Sequence, residues 1–129
     1  MTFKINRLDH LVLPVRDIPE TCAFYEKVLG METVTFGDNR TALAFGEQKI
    51  NLHPAGWAYE PKAANPVAGS GDLCFITTTP IQQVIAHLNA CGVAIEVGPV
   101  RRTGARSQLE SVYIRDPDQN LIEISNETT

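Results

Sequence analysis

Four polar residues attract attention because each lies on a predicted strand beside apolar neighbours. They are His10, His53, Asp72 and Glu123. Strand side chains alternate between two faces, so Glu123 points away from Ile122 and Ile124, and a leucine flanks each of the other three in the same way. Two imidazoles and two carboxylates suit a borderline divalent cation. The sequence therefore predicts one divalent metal ion (Ni, Co, Mn, Fe or Zn), and the donor set leaves its identity open.

Hydrophobic periodicity and turn residues predict the elements that position these donors. Strands are expected over 7–15, 31–36, 41–45 and 49–53, then over 72–77, 93–97, 111–115 and 121–125. One helix begins at Asp17-Ile18-Pro19, and a second begins with Thr79 as its N-cap residue. Residues 100–110 are expected to form a polar loop, with a strand at its C-terminal end as the open alternative. The pattern predicts an α+β fold of tandem βαβββ modules in a single domain, with module one at 1–58, a linker at 59–71 and module two at 72–129.

The two predicted halves align as a repeat. Pro19 matches Pro80, Gly30 matches Gly92, His10 matches Asp72 and His53 matches Glu123. Each donor has a plainer interpretation when it is taken alone: a strand histidine or glutamate is usually solvated, and Asp72 is also suited to closing a turn. The repeat favours ligation because it places a donor on the first and last strand of each half.

Composition excludes several classes of function. The chain has 129 residues and a formal net charge of −4, which disfavours nucleic acid as a partner. No apolar run has membrane-spanning length, and the first ten residues have no signal-peptide character. The three cysteines are odd in number and show no Cys-x-x-Cys spacing, which predicts reduced thiols and a cytoplasmic protein.

Four segments make the chain resemble the vicinal oxygen chelate superfamily, which includes glyoxalase I, bleomycin-resistance proteins and extradiol dioxygenases. They are DHLVLPVRDIPETCAFYEKVLGM (9–31), KINLH (49–53), DLCFITTTPI (72–81) and DPDQNLIEIS (116–125). The resemblance looks closest to a bacterial virulence-associated, glyoxalase-like subgroup related to glyoxalase-domain-containing protein 5. It implies that the modules form an open, eight-stranded cup around a metal, with a helix outside each half. It also implies a homodimer.

The family's metal positions carry over to His10, His53, Asp72 and Glu123, although aspartate is unusual at the third position. Bacterial glyoxalase I has a substrate-binding arginine and asparagine where this chain has Pro14 and Trp57. This difference disfavours a glutathione hemithioacetal as the substrate. Candidate substrate-binding residues are Asn51, Trp57, Arg102 and Arg106, and ordinary solvation in a loop is the alternative for the two arginines.

The leading functional hypothesis is a metal-dependent enzyme whose small-molecule substrate chelates the ion through neighbouring oxygens. The chemistry would be that of an isomerase or lyase, or of an Fe(II) dioxygenase. Glu123 is the candidate catalytic carboxylate because it is also suited to moving a proton. The alternative is a non-catalytic dimer that binds a small molecule or antibiotic, as bleomycin-resistance proteins do.

Overall fold

The structure is a computed structural model that describes residues 2–56 and 59–128. The chain divides into two compact units, unit 1 over Met1–Val67 and unit 2 over Ala68–Thr129. Each unit contains four strands and one helix in the order βαβββ. The predicted α+β class and the tandem modules are therefore confirmed.

Unit 1 is an open four-stranded mixed sheet with one helix. Its elements are β1 (His10–Val15), α1 (Ile18–Leu29), β2 (Glu32–Phe36), β3 (Arg40–Phe45) and β4 (Gln48–Pro54). The strand order is β1-β4-β3-β2, in which β1 and β4 are parallel and the other pairs are antiparallel. Because β1 and β4 are neighbours, the two predicted donors of this unit lie on adjacent strands.

Local sequence defines both ends of α1. The Asp17 carboxylate accepts a hydrogen bond from the backbone N–H of Glu20 at 2.9 Å, so it caps the first turn. Gly30 follows the last turn with φ of 66°, a left-handed conformation that glycine adopts without steric cost. The predicted start of this helix is thus confirmed.

Unit 2 repeats the arrangement, and three of its four strands are longer than their counterparts in unit 1. Its elements are β5 (Asp72–Ile76), α2 (Ile81–Ala90), β6 (Val97–Thr103), β7 (Gln108–Arg115) and β8 (Leu121–Thr128). The strand order is β5-β8-β7-β6, with β5 parallel to β8. This order puts Asp72 and Glu123 on adjacent strands.

The predicted capping of α2 by Thr79 is wrong. Pro80 occupies the N-cap position and provides no side-chain hydrogen bond to the helix. Asn126 of β8 instead accepts a hydrogen bond from the Ile81 N–H through Oδ1 at 2.7 Å, and it donates to the carbonyl of Thr79 at 2.8 Å. The first turn is satisfied by a residue from the last strand, which no local pattern shows.

The predicted polar loop over 100–110 is also wrong, since most of it belongs to β6 and β7. The strand predicted over 93–97 begins only at Val97. β6 is an edge strand of its sheet, and most of its side chains are exposed. Arginine and threonine are compatible with such a strand because it needs few apolar side chains and because charge discourages pairing with another chain.

Each sheet has one apolar face. Leu13, Val15, Ile50 and Leu52 are buried in unit 1, and Val112, Ile114, Ile122 and Ile124 are buried in unit 2. Strand alternation therefore puts the predicted donors on the opposite, polar face of each sheet. No helix among the described residues is long and apolar enough to cross a membrane.

Candidate functional site

Two buried serines hold the Glu123 carboxylate in unit 2. Ser111 on β7 donates to Glu123 Oε2 at 2.6 Å, and Ser125 on β8 lies 3.4 Å from the same oxygen. The two hydroxyls are 2.6 Å apart, and neither serine has any solvent exposure. A carboxylate that accepts a hydrogen bond from a buried hydroxyl is fixed in orientation.

Sequence reasoning did not identify either serine. Ser125 is two residues after Glu123, and the period of a strand therefore puts it on the same face. Ser111 is a different case because it meets Ser125 only through the register of β7 against β8. The alternation signal was sufficient to find the first serine but not the second.

Asp72 stands at the start of β5, diagonally across from Glu123. Its register partner on β8 is Leu121, so Glu123 is two residues further along the neighbouring strand and on the same face. Asn120 fixes this end of β5 because its Oδ1 accepts from the Gly71 N–H at 2.7 Å. Asp116 accepts from Asn120 Nδ2 at 2.8 Å in turn. The turn at 116–120 thus positions the strand that carries Asp72.

An open cavity of about 470 Å³ lies over the polar face of unit 2, and Glu123 and Cys74 are among its lining residues. Arg102 and Arg106 line the same cavity. The predicted substrate-binding residue Arg102 therefore shares a cavity with the predicted catalytic carboxylate. A small molecule in this cavity would contact a fixed carboxylate and a guanidinium.

The two cavity arginines are held differently. Arg102 donates to the Tyr113 hydroxyl at 3.0 Å, and its guanidinium lies 5.4 Å from the centre of that ring. Arg106 donates two hydrogen bonds to the Glu127 carboxylate, at 2.6 and 2.8 Å. The bidentate pair with Glu127 compensates the charge of Arg106. Arg102 is therefore the arginine that is better placed to bind a substrate anion.

The Cys74 thiol contacts the same network. Its Sγ lies 3.4 Å from the Ser125 hydroxyl. Burial of the thiol raises the pKa of Cys74; the Ser125 hydrogen bond opposes this rise, and the neighbouring Glu123 carboxylate adds to it. The thiol therefore favours its neutral form, which is a poor nucleophile and a poor metal ligand.

In unit 1, His10 begins β1 with its ring partly exposed. Its Nδ1 lies 2.9 Å from the Asp9 carboxylate. This hydrogen bond is the main reason that the pKa of Asp9 lies below its usual range. A carboxylate on Nδ1 orients the ring and leaves Nε2 as the donor atom for an ion, which is a common arrangement of ligating histidines.

The β1–β4 register corrects the repeat alignment of the two halves. His10 pairs with Lys49, so Asn51 is its diagonal neighbour, just as Glu123 is the diagonal neighbour of Asp72. Asn51 therefore occupies the position equivalent to Glu123. His53 pairs with Pro14 instead, and at about 3.3 Å per residue it lies roughly 13 Å along the strands from the level of His10. The alignment of His53 with Glu123 relied on residue type, whereas strand pairing decides which positions of the two units are equivalent.

Asn51 has an unusual environment. The residue is 5% exposed, and its buried Oδ1 has no hydrogen-bond partner among the described residues. A buried acceptor without a donor costs about 1–3 kcal/mol, and such atoms in native proteins call for an explanation. An oxygen ligand to a cation, or an acceptor for a substrate donor, would explain this one.

His53 is engaged by Arg40 of β3. The guanidinium Nη2 lies 2.9 Å from His53 Nε2, and the imidazole stacks on the Tyr59 ring at 4.6 Å between ring centres. Burial lowers the pKa of His53, and the charge of Arg40 lowers it further. The ring is therefore neutral at physiological pH, with Nε2 accepting from the guanidinium. Ligation through Nε2 would require Arg40 to move.

The predicted metal site remains a prediction. Within 2–56 and 59–128, no group of three His, Cys, Asp or Glu side chains is arranged to hold a metal ion. Each unit brings together one pair of oxygen or nitrogen donors on adjacent strands, as described above. Trp57, a predicted substrate-binding residue, lies outside the described residues.

The chain belongs to the glyoxalase/bleomycin resistance protein/dioxygenase superfamily, whose family model matches residues 7–124. It is 59% identical over 121 residues to virulence protein STM3117 of Salmonella typhimurium, covering 94% of this chain and 84% of that protein. It is 49% identical over 122 residues to glyoxalase domain-containing protein RDO1 of Mycosarcoma maydis, covering 95% of this chain and 69% of that protein. The predicted family resemblance is thus confirmed.

Solved structures agree with this placement. An integron cassette protein from Vibrio cholerae, VCH_CASS1, superposes with a TM-score of 0.97 at 56% identity, covering 99% of this chain and all of that one. A lactoylglutathione lyase of Agrobacterium tumefaciens and the antibiotic-binding protein TnmS3 of a Streptomyces species superpose with TM-scores of 0.71 and 0.76. At 23% and 20% identity, these two share the fold alone.

Proposed function

We propose that this protein is a divalent-metal-dependent enzyme acting on a small molecule that chelates the ion through neighbouring oxygens. The observation that carries the proposal is the Glu123 carboxylate, fixed by Ser111 and Ser125 and lining an open cavity with Arg102. A carboxylate that only made the surface polar would not need two fully buried hydroxyls to orient it. Membership in a superfamily that contains lyases and dioxygenases supports the enzymatic interpretation.

The residues present fit a divalent ion. His10, Asp72 and Glu123 supply one imidazole and two carboxylates, and the orphaned Asn51 Oδ1 is a further oxygen donor. The family resemblance predicts that a single ion takes these donors, and this stays a prediction. We assign the fourth position to Asn51 because of the strand register and because Arg40 occupies His53 Nε2. His53 as a ligand stays a prediction of the sequence.

The ion, when bound, would supply Lewis-acid stabilisation of an oxyanion on the substrate. Glu123 is the candidate for holding or moving a proton at its carboxylate, and Ser111 would keep that carboxylate in one orientation. Arg102 would bind a negatively charged oxygen of the substrate within the same cavity. The reaction class proposed is that of an isomerase, a lyase or a dioxygenase, and standard glutathione-dependent glyoxalase chemistry is not proposed.

Metal content of the purified protein tests the proposal. We expect about one equivalent of a transition metal per chain, and a loss of most of it in His10→Ala and Glu123→Ala. Asn51→Ala and His53→Ala form a matched pair, of which only the first should lose metal affinity. Loss of metal affinity in His53→Ala alone would mean that His53, and not Asn51, is the fourth ligand, as the sequence predicts. Metal-free wild type that does not take up added Fe, Mn, Co, Ni or Zn would overturn the proposal in favour of the non-catalytic binding protein.

A further inference from the structure

A guanidinium without an acidic partner lies on the polar face of unit 1. Arg40 is partly buried, and within the described part of the chain no carboxylate pairs with it. Alternation along β3 and β4 puts Arg40 on the same face as Lys49 and His53. An arginine that is withdrawn from water is normally paired, since an uncompensated charge is costly in a medium of reduced dielectric.

Three rings hold this guanidinium in place. The carbon at its centre lies 5.0 Å from the centre of the Phe36 ring and 5.2 Å from that of Tyr59, and Nη2 lies 2.9 Å from His53 Nε2. Contacts with aromatic rings fix the plane of a guanidinium without neutralising it, because the rings carry no charge. The hydrogen bond to the His53 imidazole likewise places no negative charge beside the guanidinium. Arg40 is therefore oriented but not compensated.

A second cation, Lys49, adds to the positive electrostatic potential around Arg40. Lys49 Nζ lies 3.6 Å from the centre of the same Phe36 ring that Arg40 contacts. Asp9 is close enough to Lys49 for the lysine to lower the pKa of that carboxyl, so Lys49 has an acidic neighbour. Two cations against one ring repel each other, and an anion bound at Arg40 would relieve the repulsion.

We propose that Arg40, held by His53, Phe36 and Tyr59, forms an oxyanion-binding subsite that takes a carboxylate or phosphoryl group of a small molecule. The planar fork of a guanidinium matches both groups in a bidentate manner. This subsite goes beyond the proposed function, because it requires only unit 1 and no metal. It also gives His53 a role as the acceptor that positions Arg40.

Titration of the full-length protein with small anions tests the subsite. Malonate and inorganic phosphate are the two probes, and malonamide is the uncharged control. Chemical shifts of the Arg40 Nε–H and of the His53 ring are followed by NMR, once with the protein as purified and once after EDTA treatment. We expect saturable changes with at least one anion, none with malonamide, and the same affinity after EDTA. The anion with the higher affinity identifies the group that is bound.

Variants assign the binding to Arg40. Arg40→Gln should weaken binding roughly tenfold to a hundredfold, as expected for loss of a charge-assisted pair. Arg101→Gln removes an exposed positive charge from unit 2 and should leave the affinity unchanged. Arg40→Lys keeps the charge but loses the fork, and it should bind with intermediate affinity; it provides the comparison if Arg40→Gln does not fold.

The subsite and the metal proposal fail in different ways. Unchanged anion affinity in both Arg40 variants, an equal loss in Arg101→Gln, or no saturable change with either anion would each overturn the subsite. None of these results depends on whether the protein contains metal. A metal-free protein that binds malonate through Arg40 would keep the subsite and remove the proposed enzyme.

Discussion

Ser111 donates a hydrogen bond of 2.6 Å to Glu123 Oε2 from a position with no solvent exposure. Ser111→Ala removes this donor and should lower the free energy of unfolding by about 1–3 kcal/mol, measured by urea denaturation. The same variant should lower metal affinity, because the carboxylate loses its fixed orientation. Metal content after dialysis against a weak chelator measures this second effect.

Ser107→Ala is the matched control for that change. Its hydroxyl lies 3.5 Å from the Glu127 carboxylate and outside the Glu123 network. We expect its stability to change by less than about 0.5 kcal/mol, as is usual for surface positions, and its metal content to be normal. Equal metal affinity in Ser111→Ala and wild type would show that Ser111 is not needed for the metal-binding role proposed for Glu123.

Gly98 lies directly against the strand that carries Ser111. Its φ is 118°, and a Cβ atom there would come within 2.5 Å of the Ser111 carbonyl oxygen and 2.9 Å of the Val112 Cα. Gly98→Ala should therefore destabilise the protein by roughly 2–4 kcal/mol, because backbone atoms must move and the φ is unfavourable for alanine. Thermal denaturation monitored by circular dichroism measures the change.

Gly46→Ala separates the steric cost of an added Cβ from the conformational cost of a positive φ. Gly46 has φ of 51°, but no atom of the described residues lies within 4 Å of an added Cβ. This variant should show only the conformational cost, about 1 kcal/mol. If Gly98→Ala and Gly46→Ala were equally stable, the close approach of β6 to β7 at Gly98 would be incorrect.

The Arg106–Glu127 pair predicts a pH dependence. The hydrogen bonds that Arg106 donates hold the pKa of Glu127 below its ordinary value of 4.5. A lowered carboxyl pKa stabilises the folded state above the unfolded pKa, and this stabilisation is lost as the pH falls through the folded pKa. Arg106→Gln should thus be less stable than wild type at about pH 7, and urea denaturation should show this difference shrinking as the pH falls below 4.5.

The pair is exposed to solvent, so added salt should reduce the difference. Glu127→Gln supplies the third corner of a double-mutant cycle, in which the coupling between the two residues should vanish at low pH. A stability difference in Arg106→Gln that persists unchanged at low pH would show that the arginine acts through packing and not through charge.

Glyoxalase activity should be weak or absent. The resemblance of the sequence to bacterial glyoxalase I aligns Pro14 and Trp57 with its substrate-binding arginine and asparagine. Assays of the methylglyoxal–glutathione adduct with Ni, Co, Mn and Zn should show no robust turnover. Robust turnover with any of these ions would mean that other residues bind the glutathione moiety, and the substrate class would have to be revised.

Local sequence was sufficient to predict the features that depend on a single helix or strand. The alternation around Glu123 predicted its face, because consecutive strand side chains must point to opposite sides of a sheet. The start of α1 at Asp17-Ile18-Pro19 was predicted because a helix start is decided within one turn of the chain. The order of elements and the α+β class followed from the same local periods.

Contacts between distant segments were decided only by the tertiary structure. Ser111 reaches Glu123 through the β7–β8 register, Asn126 caps α2 from another strand, and Arg40 meets His53 across β3 and β4. The β1–β4 pairing made Asn51, and not His53, the equivalent of Glu123. Residue types alone showed which groups could bind a metal or move a proton. Strand register, which depends on hydrogen bonds between remote segments, decided which of those groups are neighbours.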